Sequence, residues 1–437
     1  MVAMIQPGLE RISLLLKHTP LPWKAIHVAG TNGKGSICAA ASAMLLQSKV
    51  RCGRFTSPHL IDRWDCITID DVPIKQNLFR EVEDQVLKYN TTEGIKASEF
   101  EVLTATAFEI FTREEIEVGV VEVGMGGRLD ATNVLQSPLV TIISKISLDH
   151  QAWLGNTTDE IAREKAGILK PGVPCVIDHT NEPTVKKVIE TVAKEVGAGP
   201  LLYGDKLPEE IEKFKGWRDN VGNLPLHQQV NTACAYLAIC RALESLRRPA
   251  LDVHSIMSAL KQQNWPGRLQ KLHLEPITGC SESVLLDGAH NADSARILGG
   301  YVNKRVRANR SNEKTTKITW VLAMSDGKAV TEILTPLIAD GDNVVTVEFG
   351  PVDGMPWVRP MSSADLLKAA YGIAKIEQGN HYGDDVLAAL VSAAKIAKES
   401  HMVVAGSLYL VSDILRLRRN FSQQMSPEAK PTDAGQH

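Results

Sequence analysis

Short apolar runs that stop at glycine or polar turns, each followed by a helical pattern, organise the first half of the chain. Residues 25–29 lead into Gly-Thr-Asn-Gly-Lys-Gly-Ser and then a helical segment over 37–47. Residues 117–123 precede Gly-Met-Gly-Gly-Arg-Leu-Asp-Ala-Thr, 139–146 run into Ser-Leu-Asp-His, and 173–177 follow a Pro-Gly turn. Strands that are apolar on both faces and alternate with helices predict a parallel α/β sheet covered on both sides. Phe100, Leu103, Ala107 and Phe111 give residues 99–113 a core-facing helical stripe. Residues 231–246 are similarly apolar over much of their surface. A second series starts after Trp265-Pro266-Gly267-Arg268, with strands at 283–286, 318–323, 343–349 and 401–405. Helices are expected near 292–307, 328–338, 363–374 and 384–398. The Pro-Gly pair marks a boundary, so the expected organisation is a large domain over 1–267 and a smaller α/β domain over 268–421. Residues 422–437 have little apolar material and read as a disordered tail.

Composition narrows the classes. The chain has 437 residues, 44% hydrophobic and 23% charged, which is globular composition on a two- or three-domain scale. With 48 basic and 51 acidic side chains the formal charge is −3, and aromatics are 5%. That balance argues against a nucleic-acid partner while leaving room for a local positive pocket. The longest stretch without a charged side chain, 220–240, is broken by several polar groups, so no membrane span and no membrane partner are expected. The N-terminal segment lacks the features of a signal or transit peptide. Seven cysteines occur without a C-x-x-C spacing, which favours a reducing compartment. The cytoplasm is the expected location, a mitochondrial matrix the alternative, and a monomer the expected state.

Gly30-Thr31-Asn32-Gly33-Lys34-Gly35-Ser36 carries the strongest chemical signal. Glycines admit positive φ and let backbone N–H groups approach phosphate oxygens. The N-terminus of the following helix adds positive potential. Lys34 is placed to neutralise outer phosphates and Ser36 to offer a hydroxyl to Mg²⁺. The spacing departs from G-x-x-x-x-G-K-[ST] because Gly35 stands between lysine and hydroxyl. A plain glycine turn is the structural alternative. Such a loop is shared by kinases, ATPases, GTPases and ligases, so it does not name a reaction.

The remaining motifs do. GTNGKGS (30–36), FTSPHL (55–60), VEVGMGGRLDATN (121–133), SLDH (147–150), EKAGI (164–168), WPGRL (265–269), DGAHN (287–291) and GSLYL (406–410) occur in this order. Together they resemble the folylpolyglutamate synthase/dihydrofolate synthase family of Mur-ligase-like amide ligases, over residues 27–410. The resemblance implies an N-terminal P-loop ATPase domain with a parallel sheet and a smaller, Rossmann-like C-terminal domain of the glutamate-ligase type. It implies ATP-dependent amide formation: a pterin-bearing carboxylate attacks the γ-phosphoryl group, ADP leaves, and glutamate's amino group then displaces phosphate from the acyl phosphate. ATP and two Mg²⁺ ions are the implied cofactors, and a monovalent cation is compatible with the resemblance.

By the same resemblance, Ser36, Glu122, His150 and Lys165 are metal-site candidates, Lys165 as a carbamate. Read alone, Glu122 is an ordinary strand end, His150 a structural histidine and Lys165 a solvated helix charge. Asn231, Arg268 and Asp287 resemble nucleotide-contacting residues. Asp287 would touch the ribose or handle the incoming amine, unless it only ties an Asx-type turn. With Lys34 and Lys165, Asp287 and His290 are the candidate catalytic residues. Ser57 and His59 are expected to border the pteridine or carboxylate, unless His59 merely fixes the chain's path. His290 and Ser407 are candidates for glutamate, with a buried turn as the alternative for Ser407.

Polyglutamate-forming members commonly continue after SPHL with a V-R-E-R-I-x-I-N-G-like segment. Here Ile61-Asp62-Arg63-Trp64-Asp65-Cys66-Ile67 replaces it, and Asp65, Asp70 and Asp71 predict a surface unattractive to a glutamyl tail. DGAHN, rather than DGAHT, points the same way. These departures resemble the fungal monofunctional type, so the expected acceptors are 7,8-dihydropteroate and L-glutamate. Folylpolyglutamate synthesis or a bifunctional enzyme is the alternative. A non-catalytic nucleotide-binding regulator is the remote one.

Overall fold

The computed structural model describes residues 7–262, 266–308, 317–397 and 401–424. The chain divides into two compact units, residues 1–265 and 266–437. Pro266 and Gly267 thus group with the second unit.

The first unit is built on eight strands: β1 (Lys24–Ala29), β2 (Cys52–Phe55), β3 (Ile67–Ile69), β4 (Val72–Pro73), β5 (Val118–Glu122), β6 (Val140–Ile143), β7 (Cys175–Ile177) and β8 (Leu201–Tyr203). Their order is β4-β3-β2-β5-β1-β6-β7-β8. β2, β5, β1, β6, β7 and β8 are parallel, and β3 and β4 add an antiparallel edge. β1 sits at the centre with successive side chains on opposite faces. Ile26 and Val28 enter one core with α1 (Lys34–Gln47) and α4 (Leu226–Ser245). Ala25 and Ala29 face the other side, where α2 (Glu99–Arg113) and α3 (Thr158–Ala166) bury Phe108, Phe111 and Ile161. Such double coverage explains why the central strands read as continuous apolar runs.

The second unit has six strands: β9 (Gln270–His273), β10 (Ser283–Leu286), β11 (Ile318–Leu322), β12 (Asn343–Thr346), β13 (Gln378–His381) and β14 (His401–Ala405). The order is β13-β12-β11-β14-β10-β9, parallel except for β9. α5 (Ala292–Tyr301) passes into a π-helical turn over Val302–Arg307, and α6 (Leu408–Gln424) closes the described chain.

Several expectations are corrected. α1 starts at Lys34, not residue 37: Gly33, at φ 91°, ends the loop and releases the helix. Regular β6 pairing stops at Ile143, after which residues 144–147 run on as a separately bonded segment. α6 extends through residues 422–424, so the expected tail cannot begin at 422, and 425–437 lie outside the described residues. All seven cysteines are free thiols. No described helix is long and apolar enough to cross a membrane.

Candidate active site

In a parallel sheet the C-terminal strand ends share one edge, and a ligand crevice opens where the strand order reverses. β5 and β6 flank β1, so the turns after all three meet at that edge. The loop after β1 is held from the side. Thr31 N and Asn32 N both donate to Lys145 O, at 2.8 and 3.1 Å. Thr31 Oγ1 donates to Ser147 O at 3.0 Å and accepts from Ser147 N at 3.1 Å. Two of the loop amides expected to reach phosphate are therefore spent on structure. The loop's remaining amides lie in the first turn of α1, where those of Lys34 and Gly35 have no intrahelical acceptor. A β-carbon at Gly30 would stand 1.8 Å from Ser144 Oγ, and one at Gly33 would stand 2.4 Å from Asn231 Oδ1. Asn231, on α4, is thus packed against the loop it was expected to serve.

The end of β5 brings Glu122 to the same place. Its Oε1 lies 3.6 Å from Lys34 Nζ, and its Oε2 accepts from Ser57 N at 3.4 Å. Lys34 Nζ also donates to Thr31 O at 3.4 Å. Lys165 reaches in from α3, only 4% exposed, and donates to Gly30 O at 2.8 Å. Burial and, secondarily, the Lys34 ammonium lower its pKa to about 7, against the opposing pull of Asp149, Asp130 and Glu122. Helix α3 is fixed for this task by a capping box of Thr157 and Glu160. The Gly-Met-Gly-Gly turn lies hard against it, since a β-carbon at Gly127 would meet Lys165 O at 2.7 Å.

His150 adopts a left-handed conformation (φ 52°) before the short helix Gln151–Leu154. Its side chain is 47% exposed, with Nε2 3.9 Å from Asp149 Oδ2. His59 is buried beside the Ser57 turn, and Ser57 itself is half-buried. Sequence reasoning missed Asp149, although it stands inside the Ser-Leu-Asp-His motif, and Asp130. The buried Asp130 carboxylate accepts from Met125 N, Thr132 N and Thr132 Oγ1, while Thr132 Oγ1 is 2.8 Å from His27 Nε2. Burial raises the pKa of Asp130 and lowers that of His27 to about 3, leaving His27 neutral.

Asp65, Asp70 and Asp71 are not an open repulsive surface. Asp65 accepts from the N–H groups of Leu60, Ile61 and Asp62. Asp70 Oδ1 accepts from Cys52 N, and Asp71 is paired with Arg54 at 2.7 Å. Positive φ at both Asp70 and Asp71 is what a tight two-residue hairpin needs.

In the second unit, three motifs gather where β10 and β14 end. Asp287 is buried, with Oδ2 accepting from Leu269 N at 2.8 Å and Oδ1 from Ala289 N at 2.9 Å. Gly288 N donates to Gly267 O. The carboxylate thus ties the Arg268 turn to the Asp-Gly-Ala-His turn, the structural alternative weighed for it. Burial raises its pKa and the Arg268 charge opposes that. His290 Nδ1 lies 2.8 Å from Gly288 O. A carbonyl only accepts, so Nδ1 carries the proton and Nε2 is the basic nitrogen. Ser407 is buried, and its Oγ accepts from Tyr409 N at 3.0 Å at the start of α6.

No three His, Cys, Asp or Glu side chains cluster as a metal cage among the described residues. Mg²⁺ takes one or two carboxylates and completes its oxygen shell with phosphate and water. Glu122 beside the first turn of α1 fits this donor pattern. Lys165, as an amine donating to a carbonyl, is not a ligand in this form.

A family profile described as "Dihydrofolate synthetase, C-terminal domain" matches residues 270–417. The chain is 38% identical over 423 residues to a probable dihydrofolate synthetase of Schizosaccharomyces pombe, covering 94% of this chain and 98% of that protein. It is 34% identical to the dihydrofolate synthetase of Saccharomyces cerevisiae, over 95% of this chain and 99% of that protein. The crystal structure of a bifunctional folylpolyglutamate synthase/dihydrofolate synthase from Yersinia pestis, complexed with AMPPNP and Mn, superposes with a TM-score of 0.77 at 28% identity, covering 95% of each chain. By sequence along nearly its whole length, and by the fold of both sheets, the chain belongs to the dihydrofolate synthetase/folylpolyglutamate synthase family of ligases.

Proposed function

We propose that the chain is a dihydrofolate synthase, an ADP-forming ligase that joins L-glutamate to 7,8-dihydropteroate. The observation that carries the reading is the convergence of Lys34, Glu122 and Lys165 around the loop after β1. The similarity to fungal enzymes of that name supports the choice of acceptor.

The first unit binds ATP. Gly30–Ser36 and the α1 N-terminus receive the phosphates, Lys34 balances charge on the outer ones, and Asn231 braces Gly33 while facing the nucleotide. Glu122 and Ser36 would hold one Mg²⁺, and His150 with a carbamylated Lys165 a second. Divalent cations bound there would offset negative charge on the transferring phosphoryl group. Carbamylation follows from the chemistry of Lys165: a neutral amine takes up carbon dioxide and releases a proton, and a pKa near 7 makes that form abundant at neutral pH.

The acceptor carboxylate, next to Ser57 and His59, attacks the γ-phosphorus, and the bond to ADP breaks. Attack by the glutamate amine on the acyl phosphate then expels inorganic phosphate. Within the second unit, His290 Nε2 is the group suited to take a proton from an amine, and Ser407 is a candidate for binding glutamate. Asp287 acts by holding Arg268 and the His290 turn in place. The site makes positioning and charge neutralisation the main work.

The test is phosphate release from ATP, with and without 7,8-dihydropteroate and L-glutamate. Release that requires both supports the synthase. Nucleotide binding without turnover would establish a regulator instead, and a clear preference for tetrahydrofolate would move the chain to folylpolyglutamate synthesis.

A further inference from the structure

The segment between Ser144 and Ser147 is bonded on both sides. On one side it carries the phosphate loop through Lys145 O and Ser147, and it continues directly into Asp149 and His150. On the other side stands the turn after β7, residues 178–181. Asn181 is only 2% exposed. Its Oδ1 accepts from Ile146 N at 2.8 Å, and its Nδ2 donates to Ser144 O and Asp178 O, both at 3.1 Å. Lys145 Nζ donates to Thr180 O at 2.5 Å. Asp178 stiffens the turn by accepting from Thr180 N and Oγ1. Regular β6–β7 pairing ends at Ile143 and Ile177, so beyond that point one amide side chain replaces the ladder.

We propose that Asn181, assisted by Lys145, is a positioning residue for nucleotide binding: it fixes the strut 144–147 on which the phosphate loop and the His150 turn are both built. The side-chain hydrogen bonds of Asn181 go to Ile146, Ser144 and Asp178, all outside the loop, and its action is through the strut. Its amide satisfies one donor and two acceptors that a buried strand end would otherwise leave unpaired. Alanine at 181 therefore frees Ile146 N and Ser144 O, and the carbonyl of Lys145 loses its fixed place under Thr31 and Asn32. Small displacements of groups that bind by geometry are costly in affinity.

The inference rests on the reading of Gly30–Ser36 as the nucleotide loop, and calorimetric titration of Mg·ADP into the parent protein tests that separately. If the parent binds no nucleotide, that reading fails. Given parental binding, Asn181→Ala is expected to weaken Mg·ADP about tenfold and to raise KM for ATP similarly, with KM for the acceptor and glutamate changed less than about twofold. Lys145→Met, which keeps the Asn181 bonds, is expected to shift the same two quantities by a smaller factor, about threefold. A purely structural role would lower the melting temperature and leave the affinity of the folded fraction unchanged. Unchanged Mg·ADP affinity in the folded Asn181→Ala protein, or an equal rise in all three KM values, overturns the proposal. Should Asn181→Ala fail to fold, Lys145→Met decides by the same criterion.

Discussion

At the scale of single residues, two lysines of the same formal charge are set to different tasks by their surroundings. Lys34 lies 3.6 Å from Glu122, so its ammonium has a counter-charge at the mouth of the loop. Lys34→Ala is expected to cut kcat/KM for ATP by about a hundredfold, and unchanged kinetics would refute its role. Lys165 is buried behind it, and its pKa falls to about 7. In the unfolded chain a lysine titrates near 10.4, so between about pH 7 and pH 10 the unfolded state holds a proton that the folded state has released. Stability then rises with pH in that window, by at most about 1.4 kcal/mol per pH unit from this group. Urea midpoints measured in carbon-dioxide-free buffer are expected to show that slope in the parent and a flatter one in Lys165→Met. Identical slopes would remove the basis for a neutral amine at neutral pH. For catalysis, Lys165→Ala is expected to lose activity and regain part of it with added short carboxylates, which restore an anion where the carbamate would stand.

At the scale of elements, the conformational demands of the phosphate loop give a sharper test than its charges. Gly33 combines φ 91° with a β-carbon position 2.4 Å from Asn231 Oδ1. Gly94 also has positive φ, at 62°, but nothing lies within 4 Å of its β-carbon position. Gly94→Ala is therefore expected to cost about 1 kcal/mol of stability and no nucleotide affinity. Gly33→Ala is expected to cost more than that and to weaken ADP binding as well, because Asn231 must move. Equal behaviour of the two variants in calorimetry would contradict the packing argument. The same comparison shows what the sequence disclosed. β1, β5, β6, β10, β11 and β14 were legible because burial on both faces makes them apolar throughout. β9, with Gln270 and Lys271, and β13, with Gln378, Gly379 and Asn380, were not, because edge strands lack that pressure. The apolar pattern marks α1 only from residue 37, three residues after its start at Lys34, because Gly35 hides the helical signal at its first turn. Lys34 stands out as a candidate from its glycine loop, whereas Glu122 does so only through the motif that contains it. Asn181 was not legible, since Ser144 and Ile146 come beside it only once β6 and β7 are paired. Asp130 bonds within its own turn, to Met125 and Thr132, and only the link from Thr132 to His27 depends on the sheet.

At the scale of the molecule, acceptor preference is expected to follow from the rigidity of the segment after the Ser57 turn rather than from its charge. The segment after the Ser57 turn is not a free acidic surface but a locked one. Arg63, 6% exposed, pairs with Glu83 at 2.8 Å and Glu99 at 3.0 Å, so its charge is consumed internally. Arg80 pairs with Glu83 and lies over the Trp64 ring. Asp65 gathers three backbone N–H groups, and Cys66 is buried at 1% exposure, its thiol donating to Arg63 O. Residues 61–66 therefore present no uncommitted cation to a glutamyl carboxylate, and an arginine placed at 66 would be buried. Burying an unpaired charge there is expected to cost several kcal/mol, about 3 or more. Cys66→Arg should accordingly lower the melting temperature without conferring chain elongation, while the parent enzyme should use dihydropteroate at least about tenfold better, in kcat/KM, than a tetrahydrofolate monoglutamate. Elongation and acceptor preference are read in one experiment, a side-by-side acceptor assay with products resolved by glutamate number, and the melting temperature by thermal unfolding. Formation of di- and triglutamates by the parent at comparable efficiency would show that the locked segment does not set the acceptor.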